Sequence, residues 1–297
     1  MRVLAALLVV LGAVAGVGAA IVLSAQTVSG VQPWSNELLD NVVFAKAIPF
    51  VAGLGVAFGL LGAHLANRAR RTKHEHLRRF SRATVIGHWT IAVGFLLALP
   101  TGVWQYLGGI IDVAAPIPLY LFYRVHYIGA AIILFSLAYF LTYWWVTGHR
   151  QLLPPRGQWR HHLRNFAHEL PPPIGHRVGR LLRLHMGGRP SEVGQFTYYE
   201  TAFSFPTWAV GLGLITVTGL VKAMRYTVPI PGPVLYGAST LHVAAMVLLV
   251  LKVLDHLRYV FARWPLMVAM TTTWVTDHYA RVHHPGWHRG RDESEAA

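Results

Sequence analysis

Six apolar runs, each long enough to cross a hydrocarbon layer about 30 Å thick, constrain this chain more than any other feature. They cover roughly residues 3–23, 45–66, 84–107, 119–146, 204–224 and 236–260. Lipid offers no hydrogen-bonding partner to bare backbone N–H and C=O groups, so each run is expected to be helical. The fold class that follows is all-α, an integral membrane helical bundle. With 54% hydrophobic and 13% charged residues, the composition excludes an ordinary soluble domain.

The charge is one-sided along the chain. Seven Lys/Arg fall between Arg68 and Arg82, eight between Arg150 and Arg189 and five between Arg258 and Arg291, whereas 26–41 and 108–118 have none. The positive-inside rule makes the three basic segments cytoplasmic and predicts a multi-pass membrane protein with its C-terminus inside. Topology and contact with anionic lipid account for these runs, and no nucleic-acid-binding module accompanies them.

Residues 1–25 read either as a signal peptide or as a first transmembrane helix, because an apolar run to Leu23 ends in Ser24-Ala25-Gln26. Residues 26–83 hold an additional span and a basic linker. Residues 84–260 form a four-helix core, including a partly helical cytoplasmic loop at 148–200, and 261–297 form a cytoplasmic tail. Short outer loops rich in Gly and Pro join 84–107 to 119–146 and 204–224 to 236–260, which suits an up-down-up-down bundle. Aromatic clusters such as Tyr143-Trp144-Trp145 fit an interfacial belt. Gly53, Gly55 and Gly59, like Gly211 and Gly213, sit inside apolar helices and read as helix-packing positions, not a phosphate loop.

Among 17 histidines, His88, His126, His242 and His256 lie near the ends of core helices. Ionisable groups at such depth are functional candidates. Fourteen residues separate His242 from His256; at 100° and 1.5 Å per residue both rings leave one helix face, about 40° out of phase and about 21 Å apart. Helix direction then sets depth: His88 and His256 lie near the cytoplasm, His126 and His242 near the outer surface. Two imidazoles facing each other with no acidic or thiol ligand favour a six-coordinate low-spin haem over zinc or di-iron, so the expected cofactors are two haem b groups, one on His126/His242 and one on His88/His256. The plainer alternative is that each histidine hydrogen-bonds in a polar pocket. His64 has no partner at its depth and reads as interfacial. The chain contains no cysteine, which excludes thioether-linked haem and any cysteine-ligated cluster, so an iron–sulfur centre must sit on a partner.

The segments Arg79-Phe80-Ser81-Arg82 and Gly87-His88-Trp89, Arg124-Val125-His126, Leu241-His242 with His256, and His283-His284-Pro285-Gly286-Trp287 together resemble the cytochrome b (gamma) subunit of membrane-bound respiratory formate dehydrogenases. The likeness covers about 79–290. It lies within the wider group of dihaem quinone-reactive subunits found in hydrogenases and thiosulfate or polysulfide reductases. The resemblance implies an electron-transfer subunit without a primary substrate site. An iron–sulfur subunit and a molybdenum or tungsten catalytic subunit would sit on the outer face, with His126/His242 as the electron entrance, His88/His256 as the exit, and quinone (menaquinone or ubiquinone) as acceptor near the cytoplasm. Gly194-Gln195-Phe196-Thr197 stands where such subunits often carry Gly-Lys-Tyr-Asn near the quinone.

Haem propionates need cationic or hydrogen-bonding partners, for which Arg124, Lys222 and Arg225 are placed on the outer side, and Arg82 and Arg258 on the inner. Snorkelling at helix ends explains the same residues. Lys252 and Asp255, just before His256, either guide protons to a quinone or pair at the interface. The rival functions are a hydrogenase or sulfur-compound reductase subunit, and a haem-free scaffold or transporter whose histidines take up protons.

Overall fold

The structure is a computed structural model that describes residues 2–27, 37–66, 76–111, 118–148, 152–187 and 190–296. The basic stretch at 68–73, most of the outer loop at 108–118, and Arg150 and Arg189 lie outside the described residues.

The chain is an all-α membrane helical bundle. Among the described residues, five helices are long and apolar enough to span a membrane: Asp40–Ala66, Arg82–Gly108, Tyr120–Thr147, Glu200–Met224 and Gly232–Phe261. In chain order the elements are α1 (Arg2–Thr27), α2 (Glu37–Ala66), β1 (His76–Arg78), α3 (Arg82–Gly108), α4 (Leu119–Thr147), α5 (Trp159–Glu169), α6 (Pro172–Leu181), a π-helical turn (Glu200–Ser204) running into α7 (Phe205–Met224), α8 (Gly232–Phe261), α9 (Trp264–Thr272), β2 (Trp274–Thr276), α10 (Asp277–His283) and α11 (Pro285–Ala296). The chain divides into two compact units. The first is Met1–Arg70, Arg82–Gly148 and Gly211–Leu251; the second is Arg71–Ser81, His149–Val210 and Lys252–Ala297.

In the first unit α2, α3 and α4 approach backbone to backbone, and small residues make this possible. A Cβ on Gly55 would lie 2.3 Å from the Phe135 carbonyl oxygen, one on Gly59 2.7 Å from that of Tyr139, and one on Gly129 2.6 Å from the Ala98 nitrogen. Gly211 packs instead against the Leu249 side chain, whereas Gly53 and Gly213 face open space. The i, i+4 spacing sets Gly55 and Gly59 on one helix face and turns Gly53 away from it.

Helix α2 begins at Glu37, well before the apolar run at 45. The polar turn that hydropathy excludes is satisfied by α4. Asp40 takes two hydrogen bonds from Arg124, from Nε at 3.0 Å and Nη2 at 3.2 Å, and Asn41 accepts one from the Tyr127 hydroxyl.

The second unit holds the two-stranded antiparallel sheet, β1 on β2, with Leu77 opposite Val275. These two residues form a small core with Ala269 and Ala280, against which Phe80, Tyr279 and Trp287 pack. Helices α5 and α6 occupy the loop expected to be partly helical, and α9 to α11 give the tail a fold of its own.

Candidate functional site

His126 and His242 lie in the first unit and are held in the same way. The His126 Nδ1 is 2.9 Å from the carbonyl oxygen of Ala98 and 3.3 Å from Thr101 Oγ1. A carbonyl can only accept, so Nδ1 carries the proton. Thr101 gives its own hydrogen to Leu97 O at 2.6 Å and turns a lone pair to the ring. On the other hairpin, Thr218 donates to Leu214 O at 2.6 Å and its oxygen lies 2.9 Å from His242 Nδ1. In both rings the proton sits on Nδ1 and the Nε2 lone pair is left for another partner.

Each ring also lies over a glycine of the preceding helix. A Cβ on Gly102 would be 3.0 Å from His126 Cε1, and one on Gly219 3.3 Å from His242 Cε1. The Met246 sulfur of α8 is 4.0 Å from that same Gly102 position. Two Thr-Gly pairs, Thr101-Gly102 on α3 and Thr218-Gly219 on α7, thus serve the histidine of the following helix. Both threonines are buried. Reading the sequence for ligands alone misses them; the signal is the repeated Thr-Gly one helix before each histidine.

These residues fit a b haem. The metal needs neutral imidazole nitrogens, and an Nδ1–H held by a backbone carbonyl or hydroxyl is the usual way a protein fixes that tautomer. The glycines let each ring seat against the preceding helix, where a side chain would crowd it. No group of three or more His, Cys, Asp or Glu able to hold a metal ion exists among the described residues.

His88 lies in the first turns of α3 in the first unit, with its ring edge-on to Trp89 at 5.5 Å. His256 lies in the second unit, edge-on to Trp208 at 6.0 Å. Helix α8 runs unbroken through His242 and His256. The pairing of His88 with His256 rests on the depth argument from the sequence.

The expected propionate partners have other company. Arg124 is engaged by Asp40, Arg225 bonds and stacks on Tyr226, and Arg258 pairs with Asp255 at 2.8 Å. Arg82 is exposed at the start of α3.

Lys252, only 3% exposed, donates to Asp255 Oδ2 at 2.6 Å and to the Tyr199 hydroxyl at 3.2 Å, while Tyr199 donates to the same carboxylate. Tyr199 stacks on Tyr259 at 4.7 Å. Three groups that would be costly alone in an apolar helix satisfy one another. Lys252 and Asp255 therefore pair with each other, and the network adds Tyr199, which sequence reading passed over.

Arg79 of the second unit has a side chain with 0% exposure. Its Nη1 donates to His284 Nε2 at 2.8 Å, and His284 Nδ1 donates to Gly194 O at 2.8 Å. Gln195 donates to Arg79 O at 2.7 Å, Glu200 lies 3.6 Å from Nη2, and the guanidinium is 5.5 Å from the ring centres of both Phe80 and Phe196. Burial and the neighbouring Arg79 charge pull the His284 pKa down to about 4. Three of the stretches compared above, at 79–82, 194–197 and 283–287, thus meet around one buried cation. Comparison with family models and with curated proteins finds no match for this chain.

Proposed function

We propose that this chain is the membrane-embedded cytochrome b subunit of a respiratory oxidoreductase, most closely like the formate dehydrogenase type. On this reading His126 and His242 hold one b haem and His88 and His256 a second. The chain would link an iron–sulfur partner on the outer face to quinone near the cytoplasm, with the catalytic metal on another polypeptide.

The observation that carries the reading is the matched pair of Nδ1-locked imidazoles inside an apolar bundle. Such a haem, when bound, supplies one-electron storage at a fixed depth in the bilayer. Thr101 and the Ala98 carbonyl hold the His126 proton, and Thr218 holds that of His242, so both rings offer Nε2 without placing an uncompensated charge in the membrane. Gly102 and Gly219 keep the space beside each ring clear. Near His256, Tyr199 and Lys252 offer O–H and N–H groups where quinone reduction would take up protons.

The visible spectrum of the purified chain tests the reading. Reduced b-type bands and two haems per chain are expected. His242→Ala removes the outer haem and blocks electron uptake from the partner, whereas His256→Ala spares the outer haem and stops quinone reduction. A folded, colourless protein refutes the proposal.

A further inference from the structure

Between two membrane-spanning helices, α4 ending at Thr147 and the span beginning at Glu200, the chain returns to the same side of the membrane. Helix α5 is fixed to the start of the second of these. The Glu169 carboxylate at its end accepts the backbone N–H groups of Tyr198 at 2.9 Å and Tyr199 at 2.7 Å. Helix α6 folds back on α5 so closely that a Cβ on Gly175 would lie 2.2 Å from the Ala167 carbonyl oxygen, and Gly179 is covered by Met186. The two glycines define the inward face of α6.

Helical phase decides what looks out. At 100° per residue, Ile174, Val178 and Leu181 share one stripe, with half-buried Val178 at its inner edge beside Gly175; Arg177 borders the stripe on the far side, Arg180 lies about 60° beyond Arg177, and His176 about 40° beyond Arg180. Leu181 is 82% exposed and Ile174 51%, and Trp159 at the start of α5 is 41% exposed. From Arg156 to Arg183 there are six arginines and one acidic residue, Glu169, whose carboxylate is already engaged with backbone N–H groups. Among the described residues Arg177 and Arg180 form no salt bridge. An apolar stripe bordered by Arg177, with Arg180 next round the outward face, on a helix tied to the end of a membrane span, has the form of an interfacial helix.

We infer that the outward face of α6, with Trp159 of α5, binds anionic phospholipid of the adjoining leaflet: Ile174, Val178 and Leu181 enter the acyl boundary, and Arg177 and Arg180 meet the phosphates. The platform anchors the second unit to the bilayer surface and does not depend on the cytochrome reading.

The absence of cysteine allows a clean test with the full chain. A polarity-sensitive fluorophore on Leu181→Cys is read in nanodiscs of phosphatidylcholine alone and of equal parts phosphatidylcholine and phosphatidylglycerol. In the anionic discs its emission shifts to the blue and a spin label carried by the lipid quenches it, with both effects weaker in the neutral discs and in high salt. Arg177→Glu with Arg180→Glu cuts the quenching several-fold, since each basic side chain at an anionic surface is worth about a fivefold gain in partition. The same fluorophore on His176→Cys stays in water. A Leu181 probe that remains aqueous in anionic discs overturns the inference. So does equal burial in both lipids, which reports apolar insertion without anion recognition. Shielding from water without lipid quenching also overturns it, in favour of a protein partner.

Discussion

Arg79 donates from Nη1 to His284 Nε2 across 205 residues of sequence separation, at 2.8 Å and in full burial. Arginine cannot accept, so the bond requires a neutral His284 whose proton lies on Nδ1, where the Gly194 carbonyl takes it. The tail is thereby pinned to the segment leading into α3 by a ring that must stay uncharged.

The pH dependence follows from that requirement. Folding lowers the His284 pKa from its ordinary 6.5 to about 4, so the folded form binds fewer protons. The contribution is complete above pH 6.5 and is lost as pH falls towards 4, by up to about 3 kcal/mol. Amide exchange in α10 should accelerate over that window, and His284→Gln should flatten the change. An unchanged profile in the variant would show that another group titrates.

Thr101 and Thr218 should act on haem retention through the imidazole proton. Replacing either by Val keeps the shape and removes the acceptor, and weakens haem binding at that site by about tenfold. Haem content after dilution, together with the spectrum of the remaining haem, separates this from general unfolding.

The glycine cradles make a steric prediction. Gly219→Val places carbon atoms against His242, whose Cε1 already lies 3.3 Å from the Cβ position. One haem per chain should be lost while the helical circular dichroism persists. The same change at Gly213, which faces open space, should leave both haems bound.

The Lys252–Asp255 pair should prove asymmetric. Lys252 is almost fully buried, whereas Asp255 is about a quarter exposed and keeps Arg258 as a second partner. Asp255→Asn leaves a buried cation and should cost about 3 kcal/mol; Lys252→Met should cost about 1 kcal/mol. Thermal unfolding of the detergent-purified chain measures both, and equal losses would mean that Arg258 contributes little.

Much was legible in the one-dimensional pattern because membrane insertion depends on local composition. Apolar length located six runs, five of which are helices long enough to span a membrane among the described residues, and of the glycines read as packing positions Gly55, Gly59 and Gly211 pack closely whereas Gly53 and Gly213 do not. The start of α2 was missed because its polar turn is stabilised by Arg124 and Tyr127, some 85 residues distant in sequence, which a hydropathy window cannot see. The short β1–β2 sheet was missed for a related reason: three-residue strands carry too little alternation to stand out, and they pair only because the chain ends of distant helices meet.

The histidine positions divide along the same line. By itself the sequence determined that His242 and His256 share a face of α8, since helix phase is fixed by residue count, while the depth it assigns to each ring rests on the charge map. Only the tertiary structure decided that Thr101 with Gly102 and Thr218 with Gly219 support His126 and His242, and that the stretches around Arg79 and His284 close on each other. Those arrangements depend on side chains from different helices meeting at hydrogen-bonding distance, and periodicity along one helix carries no record of the neighbour it will face.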